Sequence, residues 1–319
     1  MFLPHIEKTS KYESKIHGSS DFPYIVYYGH IPEFFSIFPM HWHDEMEIIH
    51  IIKGNCMITI NKNIYHAGTG DIILVMPGML HAIESENGCE CEYFNIVFNI
   101  RMLGTDLTDA CYIKNLKPYT DGTCTLPNIL PKTTDTFRKM TPLLFELENL
   151  REDRTPGLEL LIKARLLEIF WMLKPLQNIS KSNVSDKNYA SQIEKMKSLL
   201  TLISLNYARP MTINEAAGFC GYSPSYFMKF FKSFTGETFI EYLNTYRIKK
   251  SEELLRESDL SVLEISELTG FENHSYFIRT FKKTYGVTPL KYRKAQTGAH
   301  PGSAPPVSVS MVSGTLKIF

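Results

Sequence analysis

Four side chains in the first quarter of the chain are of the types that hold metals, move protons or orient a polar ligand: His41, His43, Glu47 and His81. The first three share odd numbering, so an extended strand would carry them on one face. With His81 they form a ligand set suited to a divalent transition metal. The same groups could equally be hydrogen-bonded structural residues, or line a pocket for an organic effector such as a sugar. All three readings stay open on the sequence. Aromatic residues at Tyr24, Tyr27, Trp42 and Phe94 could supply the apolar wall that small-molecule sites use beside a few polar groups.

Short runs rich in Ile, Val, Tyr and Phe must position these groups. Tyr24–Tyr28, Glu47–Ile52, Cys56–Ile60, Asp71–Met76 and Tyr93–Asn99 read as strands, broken by Gly54, by Asn61–Asn63, Gly68–Gly70 and Asn87-Gly88, and by Pro77-Gly78. Strands at this spacing predict a sandwich or barrel. Helical periodicity starts near Phe137, with Leu143, Leu144, Leu147 and Leu150 on one face. A second helix is expected from about Pro156 to Lys174. Its residues Leu160, Leu161, Ala164, Leu167, Ile169 and Trp171 exceed what one packing face needs; the surplus needs a partner, whether the barrel or a second subunit, and a dimerisation role is expected.

The expected domains are an N-terminal arm over 1–20, an effector-binding domain over 21–135 and a helical dimerisation segment over 136–175. A polar linker over 176–190, a helical domain over 191–294 and a disordered tail over 295–319 follow. The formal net charge is zero, yet Ser191–His300 holds 15 Lys/Arg against 11 Asp/Glu while residues 1–190 are acidic by five charges. A basic C-terminal half fits a polyanionic partner. The six cysteines contain no CxxC pair and read as reduced thiols of a cytoplasmic protein. Neither a signal peptide nor a membrane span is expected.

The most specific feature is a repeat. GYSPSYFMKFFKSFTG (Gly221–Gly236) and GFENHSYFIRTFKKTYG (Gly270–Gly286) align with one extra residue in the second copy, so one structural unit is used twice. In the first copy, Thr212 and Glu215 read as a capping box and Ile213, Ala216 and Ala217 as an apolar stripe. Gly221 reads as a helix stop and Ser223-Pro224 as the start of the next helix. That helix should bury Phe227, Phe230 and Phe231 and expose Ser225, Met228, Lys229 and Lys232. In the second copy, Ser261 and Glu264 cap a helix with the stripe Ile265, Leu268 and Phe271, and Gly270 makes the turn. The next helix should bury Tyr276, Phe277 and Phe281 and present His274, Ser275, Ile278, Arg279 and Lys282. Thr238–Arg256 is expected to be a rigid connecting helix. Two short helices, a tight turn and a basic outer face are the helix-turn-helix pattern.

Residues Ser191–Lys294 resemble the DNA-binding domain of the AraC/XylS family of bacterial transcription regulators, most specifically in the ending Gly286-x-Thr288-Pro289-x-x-Tyr292-Arg293. The resemblance implies two helix-turn-helix units entering successive major-groove segments of promoter DNA, a homodimer, and activation through RNA polymerase. Carried over by position, Ser225, Met228, Lys229, His274, Ser275, Ile278 and Arg279 point outward toward the DNA, Lys229 reading guanine or sitting on phosphate, and Lys232 and Lys282 face phosphates. The His41–Glu47 segment and Gly70–His81 resemble the two cupin motifs, with the Gly before the first absent and Pro77 and Gly78 adjacent in the second. The fold class this implies is α+β multidomain, with a cupin-like double-sheet β-barrel ahead of an all-α domain. The effector-binding candidates are His41, Trp42, His43, Glu47, His81 and Phe94. No catalytic residue and no cofactor is expected; sensors of this kind resemble cupins in fold but generally work without metal. Two rival readings are a metal-dependent cupin enzyme tethered to DNA and a ligand-independent DNA-binding dimer.

Overall fold

The computed structural model describes residues 17–31, 37–104, 109–179 and 186–297. They divide into two compact units.

The first unit holds strands β1 (Tyr24–Ile31), β3 (Met46–Ile60), β4 (Asn63–Gly68), β5 (Ile72–Val75), β6 (His81–Ser85) and β7 (Cys91–Phe98); β2 (Ile37–His41) begins in it, and its residues from Pro39 group with the second unit. They form one sheet in the order β1-β7-β3-β6-β2, with β4 and β5 also on β3, and it curls into a half-barrel. The curl originates in β3. Its first half pairs antiparallel with β5 and β7 and its second half with β4 and β6. Two strands broken at Gly54 were the expectation; the structure has one strand of 15 residues. Gly54 bends the strand instead of ending it, at φ +84° and beside a register shift between Ile51 and Lys53. A Cβ there would lie 1.8 Å from the Glu90 carbonyl oxygen, so only glycine lets the two backbones approach this closely.

The first half of β3 is buried on both faces, which explains its nearly unbroken apolar run. Met46 and Ile48 join Leu74, Phe94, Ile96 and Phe98 in a core completed by Met140, Leu144, Leu147, Ile162, Leu166, Ile169 and Phe170. Ile49 and Ile51 face the interior of the curl with Ile58, Ile60, Ile73, Val75, Ile83 and Tyr93. The helices of this unit are α1 (Lys117–Thr120), α2 (Asp135–Asn149) and α3 (Leu158–Leu173). Thr134 caps α2 by accepting from the Phe137 amide. A short pair, β8 (Cys124–Thr125) and β9 (Asn178–Ile179), lies at the edge of the stretch read as linker.

One expectation shifts. His17 belongs to the stretch read as an arm, yet it is buried and its Nδ1 lies 3.1 Å from the Tyr27 hydroxyl. The tail from 298 onward and residues 1–16 lie outside the described residues.

The second unit contains α4 (Asp186–Asn206), α5 (Ile213–Cys220), α6 (Pro224–Thr235), α7 (Phe239–Glu257), α8 (Val262–Leu268), α9 (His274–Tyr285) and α10 (Pro289–Thr297). α4 begins inside the stretch expected to be linker. The connecting helix α7 carries a complete capping box, Thr238 with Glu241. Phe227, Phe231 and Phe239 pack edge-on or tilted at 5.6–5.8 Å, and Tyr242 of α7 stands 5.5 Å from Phe231. The matching cluster of the second copy is Phe277, Phe281, Tyr285 and Tyr292. The buried Arg247 of α7 donates to the carbonyls of Tyr207 (2.7 Å) and Arg209 (2.9 Å), fixing the loop after α4. Burial lowers the pKa of its guanidinium, while the charge of Glu272 acts in the opposite direction.

Candidate functional sites: a paired recognition-helix surface and a buried polar pocket

Both helix pairs form where the repeat places them. α5 ends at Gly221, and the turn after α8 falls at Gly270, φ +83°. A Cβ on Gly270 would approach the Ala208 carbonyl oxygen to 2.6 Å, so this turn needs glycine for space as well as dihedral. Ser223 and Asn273 cap α6 and α9 by accepting from the Tyr226 and Tyr276 amides. On α5, Thr212 accepts from the Glu215 amide, but the Glu215 carboxylate pairs with Arg209 rather than closing the capping box.

On α6, Ser225, Met228, Lys229 and Lys232 are exposed, as expected from their spacing, and Phe227, Phe230 and Phe231 are buried. On α9, Ser275, Arg279 and Lys282 are exposed, whereas His274 and Ile278 are half-buried. Two details correct the sequence reading. Tyr276 is exposed, not core, and its hydroxyl accepts from Asn244 Nδ2 at 3.1 Å. Tyr226, its counterpart in the first copy, is equally exposed. An aromatic stripe at helical spacing could not separate these tyrosines, one residue before each buried Phe, from the core beside them. Leu268, assigned to the α8 stripe, points outward, while Ile265 and Phe271 are buried.

In the half-barrel, the expected ligand set is held by different elements. His41, His43 and Glu47 do not share one extended strand: His41 ends β2, His43 sits in the following loop and Glu47 is the second residue of β3. His43, Glu47 and His81 meet in the interior, each under 5 % exposed. Glu47 Oε2 lies 3.3 Å from His43 Nε2 and 2.9 Å from His81 Nε2. Asn95 Nδ2 donates to Glu47 Oε1. Behind each imidazole stands a backbone carbonyl, Glu45 O at 3.2 Å from His43 Nδ1 and Met79 O at 2.9 Å from His81 Nδ1. Burial alone would raise the Glu47 pKa. The hydrogen bonds and charge of His43 and His81 outweigh it and hold the carboxyl well below the usual range. His17 extends this polar wall, its ring 5.0 Å from that of His43.

Phe94 lies elsewhere. Phe94 is opposite His50 in the β3–β7 register and packs edge-on against His50 and Phe145. It therefore belongs to the core under α2 and α3, on the opposite face from Glu47. The segment Pro39–Trp42, with His41 and Trp42, groups with the helical unit. There the Lys197 ammonium stands 4.6 Å above the Trp42 ring, and His41 Nδ1 is 2.9 Å from the Pro39 carbonyl. Asn95 and His17 escaped the sequence reading. Strand parity relative to Glu47 could have found Asn95, which stands two residues before Val97, the partner of Glu47.

A curled sheet with a polar interior and a tandem helix-turn-helix unit together define a ligand-responsive DNA-binding regulator. A family profile described as an AraC-like ligand binding domain matches residues 30–169, and one described as a helix-turn-helix domain matches 216–295. The chain belongs to the AraC family of transcriptional regulators. It is 29 % identical over 80 % of its length to the uncharacterized HTH-type transcriptional regulator YdeC of Bacillus subtilis strain 168, covering 86 % of that protein. It is 27 % identical to the Msm operon regulatory protein of Streptococcus mutans, over 77 % of this chain and 84 % of that one. To the melibiose operon regulatory protein of Escherichia coli K12 it is 25 % identical, over 80 % and 83 %. No helix among the described residues is long and apolar enough to cross a membrane.

Proposed function

We propose that this regulator acts on promoter DNA in the cytoplasm as a homodimer, and that a small polar effector bound in the half-barrel sets its activity. It has no enzymatic step of its own. The observation that carries the DNA reading is the pair of equivalent helices, α6 and α9, each capped and each exposing Ser and basic side chains at matched positions. In this reading Ser225, Met228 and Lys229 of α6 and His274, Ser275, Ile278 and Arg279 of α9 face base edges. Lys232 and Lys282, further along, sit on phosphates, where contacts set position rather than sequence. Tyr226 and Tyr276 flank the same surface and suit phosphate contacts through their hydroxyls.

Arg279 is the residue best suited to guanine O6 and N7, which it can bind bidentately. Arg279→Ala should cost about 1–3 kcal/mol of binding and relax preference at one base pair. Lys282→Ala should weaken binding evenly across sequences and reduce the salt slope by about one unit. Selection of preferred duplexes by both variants, with binding followed at several salt concentrations, checks the assignment. An unchanged sequence preference in Arg279→Ala removes it.

The effector reading rests on the hydrogen-bonding wall of His17, Tyr27, His43, Glu47, His81 and Asn95. Hydroxyl-rich molecules suit such a wall, and a carbohydrate is the class proposed; a relative named for the melibiose operon supports that choice. The effector would bind one state of the protein better than another and shift the population between them. Activation by recruiting RNA polymerase is the direction proposed for that shift. Thermal shifts of the full chain across a sugar panel test the class: a saturable rise with one sugar and its loss in Asn95→Ala is the expected result.

Dimerisation is assigned to α3. Leu160, Ala164, Leu167 and Trp171 are all exposed, Leu160 at 76 % and Trp171 at 71 %. Their 4-3-4 spacing is the repeat of a two-helix seam. Leu160→Glu combined with Trp171→Glu should convert a dimer to a monomer in sedimentation equilibrium without lowering the melting temperature of the isolated chain. A wild-type chain that sediments as a monomer at all concentrations would overturn this assignment.

A further inference from the structure

We infer that the helical unit carries two matched phosphate-binding sites built on Tyr226 and Tyr276, and that Gln192 of α4 and Asn244 of α7 are positioning residues that commit each phenolic O–H to a phosphate oxygen. The inference rests on the reading of α6 and α9 as recognition helices and adds side chains from the helix in front of each pair.

Each tyrosine is held twice. Asn244 Nδ2 donates to the Tyr276 hydroxyl at 3.1 Å, and Gln192 Nε2 to the Tyr226 hydroxyl at 3.5 Å. Three residues further along each helix, a cation stands over the ring that follows the turn glycine. Lys195 is 4.2 Å from the centre of the Tyr222 ring, and Arg247 is 5.9 Å from that of Phe271. Those rings in turn meet the tyrosines, Tyr222 edge-on to Tyr226 at 4.7 Å and Phe271 tilted to Tyr276 at 6.2 Å. The side-chain types differ, Gln and Lys before the first copy and Asn and Arg before the second. Amide and cation nevertheless keep one spacing and equivalent targets. Neither tyrosine is core, at 47 % and 43 % exposed. A surface tyrosine gripped on two sides has given up rotamer freedom before any ligand arrives, which lowers the cost of binding.

Hydrogen-bond direction decides the ligand. A phenol has one O–H to donate and lone pairs that accept. The amide N–H takes the accepting side, so the O–H is left to donate. Among the described residues it has no protein acceptor. A hydroxyl committed to donating, on an exposed rim, suits an anionic oxygen. Position on the helix selects phosphate over base. Tyr226 and Tyr276 each follow an outward-facing serine, Ser225 or Ser275, by one residue, about 100° of helix rotation. They therefore stand on the flanks of α6 and α9 beside α4 and α7, where a helix lying in the major groove meets the wall of the groove and not its floor. Tyrosine hydroxyls are among the usual donors to phosphate oxygens. The two grips are unequal. The Asn244 bond has an ordinary length, whereas the 3.5 Å of the Gln192 contact lies beyond the usual range. The α9 site thus depends more on its amide than the α6 site does.

The test uses the full-length chain and the duplex that the wild type selects, with binding measured at several salt concentrations. Tyr276→Phe should weaken binding about tenfold on every sequence and leave the salt slope unchanged, because a neutral donor releases no counterion. Asn244→Ala should weaken binding about threefold alone and not at all in the Tyr276→Phe background. Asn244→Asp offers the phenolic proton an acceptor in place of the DNA and should bind at least as weakly as Tyr276→Phe. Tyr226→Phe should behave like Tyr276→Phe, and Gln192→Ala should cost less than Asn244→Ala. Duplexes carrying one neutral methylphosphonate at a time across the α9 subsite locate the contact: at one position the penalty of Tyr276→Phe should vanish. Melting followed by circular dichroism separates lost contacts from lost folding, and Tyr276→Phe, which removes one exposed atom, keeps the test decisive if Asn244→Ala is unstable. The inference is overturned if Tyr276→Phe binds like the wild type, alters base preference, or keeps its penalty on every methylphosphonate duplex. An Asn244→Ala penalty that persists in full beside Tyr276→Phe removes the positioning role. If the wild type itself binds no duplex in a salt-sensitive way, the regulator reading falls instead.

Discussion

Phe281→Ala is expected to lower the stability of the helical unit by about 3–5 kcal/mol, the usual cost of emptying a buried phenylalanine site. Phe281 is fully buried, stacks on Tyr285 at 4.5 Å and meets Tyr292 at 5.7 Å and Phe277 at 5.9 Å. It thus joins α9 to α10 through a cluster of four aromatic rings. A domain holds only about 5–15 kcal/mol in total, so this loss brings the second helix pair close to unfolding. Duplex binding should fall far more than for any single surface variant, since the whole α9 surface loses its support. Urea denaturation followed by near-ultraviolet circular dichroism, alongside duplex titration, checks both effects. A shift under about 1 kcal/mol would show that the cluster relaxes around the gap.

Gly54→Ala is expected to be comparably severe for the half-barrel, at about 3 kcal/mol or more. The positive φ contributes about 1–2 kcal/mol for a residue with a Cβ. The larger part is steric: the new atom would lie 1.8 Å from the Glu90 carbonyl oxygen, so β3 and β7 must move apart at their bulge. Gly54→Asn separates the two contributions. Asparagine tolerates left-handed backbone well, yet it carries the same Cβ. If the clash dominates, both variants destabilise equally in chemical denaturation. Recovery of most of the stability by asparagine would assign the cost to the dihedral instead.

The helical unit was largely legible in the sequence because its signals are local. Capping residues, turn glycines and buried phenylalanines recur at fixed offsets in both copies, and each acts within a few positions of itself. Tyr276 and Leu268 were misplaced for the converse reason. Apolar periodicity reports a stripe about 100° wide, and a side chain at its margin is buried or exposed according to its neighbours. The half-barrel was less legible. Its polar cluster is assembled from a loop, one end of β3, the start of β6 and the middle of β7. Only the curl of a strand that serves two parts of the sheet brings these together. Parity along one imagined strand found Glu47 but invented a shared face for His41. It also could not reveal that Phe94, one residue from Asn95, looks the opposite way. Gly54 misled for a physical reason: glycine marks both strand ends and strand bends, and composition does not distinguish them.

The connecting helix α7 spans 19 residues, about 28 Å at 1.5 Å per residue. It carries Tyr242 against the first aromatic cluster, Asn244 on Tyr276 of α9, and Arg247 on the loop after α4. A strut anchored at three places cannot stretch. Natural target sites should therefore drift in base identity while keeping an invariant gap between the two subsites. One inserted base pair would rotate the distal subsite by roughly 35° around the duplex, a mismatch that no side-chain rearrangement on the far helix could absorb.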